Sequence, residues 1–151
     1  MINANDFLSH AQSLIEKNNA KEVDFRSAIS RAYYSLYHES FRFLQKSYKE
    51  KLIRNIESYV FKTKPSLIYS QEFIQKIKEL DPDYILKLGI SLHQIIPSVL
   101  SSLNYDYFLD YKQHRRRRNV ANYDLDVNIT YDDAKDEIEF ISLLISSINS
   151  L

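Results

Sequence analysis

A chain of 151 residues with one glycine and three prolines has few places to turn sharply. Sheets built from hairpins call for Gly, Asn-Gly or Pro turns at intervals of about 8–12 residues. That supply is missing, so the chain is expected to be helical almost throughout. Apolar residues recur at helical spacing along most of its length, as that expectation requires.

Phe7, Leu8, Ala11, Leu14 and Ile15 form one stripe of a first helix over about residues 5–17, with Asn3 or Asn5 as its cap. A longer helix is expected to begin near Asp24, with Phe25, Ala28, Ile29, Ala32, Tyr33, Leu36, Ser40, Phe41 and Leu44 inward. Residues 49–62 continue the pattern through Leu52, Ile56 and Val60 until Pro65 stops it. Ser70 is placed to cap a short helix that runs to Leu80 and ends at Asp81-Pro82. One helix is expected from about Asp83 to Ser102, with Pro97 as the residue that kinks or splits it. Another covers roughly Asp106–Ala121. Thr130 and Asp133 have the spacing of a capping box before a last stripe of Ala134, Ile138, Ile141, Leu144, Ile145 and Ile148. The reading is an all-α, up-and-down bundle of about five to seven helices, forming one domain over residues 1–151.

Charge narrows the function classes. Lys plus Arg equals Asp plus Glu at 20 each, so the whole chain is no indiscriminate polyanion binder. The distribution is uneven, however. Residues 41–64 carry seven Lys or Arg against Glu50 and Glu57, whereas residues 124–151 carry seven acids against Lys135. A basic middle and an acidic tail describe a polarised molecule, or chains that pair through opposite faces. No cysteine is present, which excludes disulfides, a thiolate nucleophile and Cys-based metal sites. The N-terminus has neither the basic nor the apolar region of a signal peptide, and no membrane span is read, so a cytoplasmic location without membrane contact is expected. Asp124, Asp126, Asp132 and Asp133 suit helix caps better than a metal cage, so no metal and no cofactor are expected.

The densest chemistry lies in His114-Arg115-Arg116-Arg117-Arg118-Asn119-Val120-Ala121-Asn122-Tyr123-Asp124. Four guanidiniums in a row present planar donor forks suited to phosphate. On a helix, His114 and Arg118 are an i,i+4 pair on one face, flanked by Gln113, Arg117 and Ala121. A histidine can take a 2′-hydroxyl proton near neutral pH, and an adjacent guanidinium can hold the scissile phosphate. Lys112, Arg115 and Arg117 would add contacts to RNA phosphates. The bland alternatives remain beside these: a solvated or partner-binding arginine face, and a His114 that only bonds Asp110. Twelve tyrosines could stack on unpaired bases or fill a core and an interface.

Two segments resemble a known family. Arg31-Ala32-Tyr33-Tyr34-Ser35-Leu36-Tyr37-His38 is similar to the R-A-Y-Y-x-hydrophobic-aromatic-H signature of small prokaryotic HEPN domains. Arg118-Asn119-Val120-Ala121-Asn122-Tyr123-Asp124, with Thr130-Tyr131-Asp132-Asp133-Ala134 after it, resembles the ending of the same domains. The resemblance implies a HEPN-type helical bundle that forms a homodimer with the Arg segments facing each other. It implies a metal-independent endoribonuclease of a toxin–antitoxin or phage-defence system, with an antitoxin or a nucleotidyltransferase as possible partner. Arg118 and Asn119 match the start of the family's catalytic motif, while the position of its His is Tyr123. His114 or Tyr123 would then move the proton, with Arg31, Tyr34, His38 and Asp124 in support. The alternative is a catalytically inactive HEPN-like module that binds RNA, a nucleotide or a protein.

Overall fold

A computed structural model describes residues 3–151. Among them there are eight α-helices, three short 3-10 segments and no strand. The helices are α1 (Ala4–Glu16), α2 (Glu22–Ser47), α3 (Lys49–Thr63), α4 (Gln71–Lys76), α5 (Pro82–Lys87), α6 (Leu92–Leu103), α7 (Tyr105–Tyr123) and α8 (Tyr131–Ser146). The all-α expectation holds, and the count exceeds the five to seven expected. No described helix is long and apolar enough to cross a membrane.

The chain divides into two compact units, one of residues 1–40 and 104–151, the other of residues 41–103. The first contains α1, most of α2, α7 and α8. Asn3 caps α1 in a reciprocal box with Asp6, and Thr130 caps α8 in the same way with Asp133. Asn104 caps α7 by accepting from the Tyr107 amide at 3.0 Å. Ala11, Ile15, Ala28, Ile29, Ala32, Leu36, Ala134, Ile138 and Ile141 form the apolar part of this unit's core. α1 and α8 pack closely against each other, with the small Ala11 and Ala134 buried on them.

Tyrosines occupy the rest of that core. Tyr33 and Tyr111 are fully buried, edge to face at 6.0 Å between ring centres, with their hydroxyls 3.5 Å apart. Desolvation pushes the Tyr111 hydroxyl far above the usual tyrosine range and raises Tyr33 as well. Burial, with the neighbouring Tyr33 and Tyr34, takes Tyr37 up to about 12. Unfolded tyrosines ionise near pH ~10. The raised folded values therefore contribute stability that is complete below about pH 10 and is lost as pH climbs through the folded values. The melting temperature should hold up to about pH 9.5 and then fall steeply, with tyrosinate absorbance rising as the helix signal is lost. Smooth ionisation of all the tyrosines near pH ~10 with the helices intact would contradict this burial.

In the second unit Leu52, Ile56 and Val60 of α3 are buried together with Phe73, Ile77, Leu80, Ile85, Ile95, Ile96, Val99 and Leu100. Ser70 caps α4 as expected, but the α-helix ends at Lys76 and a 3-10 turn, Ile77–Glu79, follows it. The single helix expected over 83–102 is instead α5 and α6. The break falls at Gly89, with φ +74°, while α6 continues past the buried Pro97 without a split. Glycine takes that left-handed conformation without the clash a side chain would bring. Lys64 also closes on the Leu88 carbonyl there, and a Cβ on Gly89 would lie 2.7 Å from its Nζ.

Candidate functional site

The buried face of α7 carries Tyr107, Tyr111, His114, Arg118 and Ala121. These follow the 3–4 spacing of an inward stripe, although two of them are a histidine and an arginine. His114 and Arg118 do share one side of the helix, and that side faces the core. Their partners then separate them.

His114 turns toward α8, where its Nδ1 meets a carboxylate oxygen of Glu137. The other Glu137 oxygen accepts from Arg117 Nη1 at 2.9 Å. Glu137 is 3% exposed, so a single buried carboxylate orients an imidazole and a guanidinium on consecutive turns of α7. With Nδ1 held by the carboxylate, Nε2 is the nitrogen left for other chemistry. A cavity of about 400 Å³ adjoins the cluster, lined by His114, Arg117, Asp110, Gln113, Phe140 and Ser147 among others. Asp110, the neighbour considered from sequence, is present there, but Glu137 holds the ring.

Arg118 turns toward α2. Its guanidinium carbon lies 4.8 Å from the Tyr33 ring centre and 5.9 Å from that of Tyr34. It is 9% exposed, and its buried Nε has no hydrogen-bond partner among the described residues. Desolvated cation–π contacts contribute on the order of 2 kcal/mol. The residue expected to grip phosphate is thus enclosed by aromatic rings.

The outward face of α7 is different. Tyr105, Leu109, Lys112, Arg116, Asn119 and Tyr123 recur at three- and four-residue spacing and are all exposed. Tyr105 and Tyr123 are 62% and 74% exposed, and the Tyr105 ring also lies 5.6 Å from that of Phe108. Lys112 lies over the Phe108 ring at 5.3 Å. Arg115 is half-buried beside this stripe. Of the expected phosphate contacts only Lys112 lies on this stripe, with Arg115 half-buried beside it and Arg117 paired with Glu137; Asn119 and Tyr123 face outward here, while His114 and Arg118 point inward.

A groove of about 540 Å³ runs between α2 and the end of α7, lined by Arg26, Ser27, Arg31, Tyr34 and Asn122 among others. It brings the two segments that resemble HEPN signatures against each other. Arg31 is exposed and Tyr34 is half-buried; Asn119, one turn before Asn122 on α7, is exposed. His38 stands apart, stacked on Phe7 at 5.0 Å, and partial burial lowers its pKa. Asp124 caps the C-terminus of α7, and its Oδ1 accepts from the Asp126 amide at 3.2 Å.

Two features escaped the sequence reading. Glu137 sits on the apolar stripe of α8 between Ala134, Ile138 and Ile141; an acid at an inward position was the available sign. Arg26 was the other. Its Nη1 donates to the carbonyls of Ala121 at 3.0 Å and Asp124 at 2.9 Å, and Nη2 to that of Val127. Glu22 accepts from Arg26 Nε at 3.2 Å and from the Ile129 amide at 3.1 Å. The Ile129 amide first, then Arg26, hold the Glu22 carboxyl below its ordinary range. The i,i+4 spacing of Glu22 and Arg26 was visible, whereas their grip on the 121–129 backbone was not.

Compared with family models, with curated proteins and with solved structures, the chain finds no match. Its site is therefore read from its own residues.

Proposed function

We propose that this chain is a HEPN-like module that binds single-stranded RNA along the outer face of α7 without cleaving it. The observation that carries the reading is the division of α7 into two faces. The solvent face offers Lys112 and Arg116 to phosphates, Asn119 to base edges, and Tyr105 and Tyr123 as stacking platforms. The inward face holds His114 and Arg118, each engaged by neighbours. The HEPN likeness is supported by the all-helical build and by the groove in which Arg31 and Tyr34 meet Asn122. Salt dependence tests the binding mode. Each phosphate contact on a single strand contributes about 0.7 to the slope of log K against log salt. The Lys112→Ala/Arg116→Ala variant should bind labelled single-stranded RNA more weakly and lower that slope by about 1.4. An unchanged slope, or no binding by the wild type at low salt, refutes this use of α7.

A second reading is favoured by one observation, the Glu137–His114 pair beside a cavity. A carboxylate on Nδ1 fixes the tautomer in which Nε2 accepts a proton, the arrangement of a general base. A metal-independent endoribonuclease of toxin–antitoxin or defence type would use it with Arg117 near the phosphate. RNA incubated with EDTA decides between them. Cleavage to 2′,3′-cyclic phosphate ends, lost in His114→Ala and retained in Arg118→Ala, would establish the nuclease. Intact RNA with measurable binding supports the silent module.

A further inference from the structure

We propose that the outer face of α7 is also a docking surface for α8 of a second copy of this chain. The observation is a match of charge and register between two exposed stripes. On α8, Asp132, Asp136, Glu139 and Leu143 recur at three- and four-residue spacing, and all are exposed. On α7 the outward series is Leu109, Lys112, Arg116 and Asn119. Neither Arg116, Asp136 nor Glu139 has an ion-pair partner among the described residues. Leu109 and Leu143 are 45% and 68% exposed, so each stripe carries uncovered apolar surface beside its charges.

The geometry inside one chain sets the geometry between two. α7 and α8 run antiparallel, with His114 and Arg117 level with Glu137 and with Asp110 sharing a cavity with Ser147. Counting from those levels, Arg116 lies level with Asp136, Lys112 with Glu139, and Leu109 with Leu143. Arg117 follows Arg116 by one residue, as Glu137 follows Asp136, a turn of about 100° in each helix. Arg117 and Glu137 face each other, and the helices are antiparallel. Equal turns therefore bring Arg116 and Asp136 out on the same side, where both line a groove of about 580 Å³.

A two-fold axis parallel to these helices keeps every level and lays each α7 over the other copy's α8. Arg116 then meets Asp136 of the second copy, Lys112 meets its Glu139, and Leu109 meets its Leu143. Each contact occurs twice, as an isologous interface requires. The opposite helix direction would keep the charge pairs but set Leu109 against Asp132 and Leu143 against Asn119, leaving both leucines without an apolar partner. Lys112 and Arg116 would also be the RNA contacts, so RNA and the second copy compete. That competition rests on the RNA reading, whereas the pairing itself does not.

A charge swap on the full chain tests the pairing by sedimentation velocity at about 100 µM protein and low salt, where even small interfaces are occupied. The wild type should form a dimer that salt weakens. Arg116→Glu and Asp136→Arg should each weaken it about tenfold or more, because like charges then face across the two-fold. The double variant, which restores opposite charges, should return most of the affinity. Both substituted residues are exposed, and circular dichroism checks that each variant is folded. A monomeric wild type, single variants that dimerise normally, or a double variant that fails to recover overturns the proposal. Asp136→Arg keeps its RNA affinity if RNA uses α7. Rescue by the swap in a chain that binds no RNA overturns the RNA reading and leaves the pairing standing.

Discussion

Glu137→Ala should lower stability by about 2–3 kcal/mol, a fall in melting temperature of roughly 5–10 °C for a chain of this size. The carboxylate is almost wholly enclosed and has two partners, and the loss is not shared equally between them. Arg117 is 42% exposed and can turn to water. His114 is 7% exposed and cannot, so its Nδ1 loses an acceptor inside the core. Removing one member of a fully buried ion pair costs about 3–5 kcal/mol, and the half-exposed Arg117 keeps the loss below that range. Glu137→Gln is the informative companion. Its amide oxygen still accepts from Nδ1, so most of the stability should remain, with about 1 kcal/mol lost as the charge on Arg117 goes unanswered. Thermal denaturation of both variants measures the difference. Equal losses would mean that charge, not the hydrogen bond to His114, holds α7 to α8. The same Glu137→Gln protein should bind RNA like the wild type if the outer face of α7 is the contact.

Much of the fold could be read from single residues with a stated job. Asn3, Ser70 and Thr130 each sit where a helix begins and each accepts from the amide three positions on. Pro65 marks the end of α3, which stops at Thr63. The reading failed where a continuous apolar pattern hid a change of direction. Ile85, Leu92, Ile95 and Ile96 suggest one helix, and Pro97 looked like the weak point. The only glycine was the better sign, because its freedom to take a positive φ ends α5. Pro97 instead lies inside the continuous, buried α6.

The site was legible in composition and misleading in direction. The segment 114–124 does contain the cations, amides and rings that RNA recognition uses. Residue type, however, made His114 and Arg118 a pair poised to meet a phosphate. Spacing gives the opposite answer: counting on from Tyr107 and Tyr111 by threes and fours reaches His114, Arg118 and Ala121. Periodicity therefore outweighed polarity, and the cost of an inward guanidinium is offset by the Tyr33 and Tyr34 rings on α2. No pattern within α7 could show those rings, since they come from a helix more than seventy residues earlier. Glu137 is hidden for the same reason. An acid that faces inward acquires meaning only once the histidine opposite it is known.

Arg26→Ala should be as damaging as Glu137→Ala, through the backbone and not through a side-chain pair. The last carbonyls of a helix have no partner within it, and the chain after α7 has no regular structure to supply one. Arg26 serves both needs at once, reaching the Ala121 and Asp124 carbonyls with one nitrogen and Val127 with the other. Its side chain is 12% exposed, so water does not readily replace it. Hydrogen bonds from a charged donor contribute about 1.5–3 kcal/mol together with the cost of leaving their acceptors bare, and a total loss of about 3 kcal/mol is expected. Arg26→Lys should recover little, because one ammonium cannot span carbonyls on both sides of a turn. Hydrogen exchange locates the effect. Amides of residues 121–129 should lose protection in Arg26→Ala while those of α1 keep theirs, and RNA affinity should fall as Asn122 and Tyr123 lose their fixed places. A uniform loss of protection would instead make Arg26 a general support of this four-helix unit, and an unchanged pattern would mean that the 121–129 backbone holds its course without it.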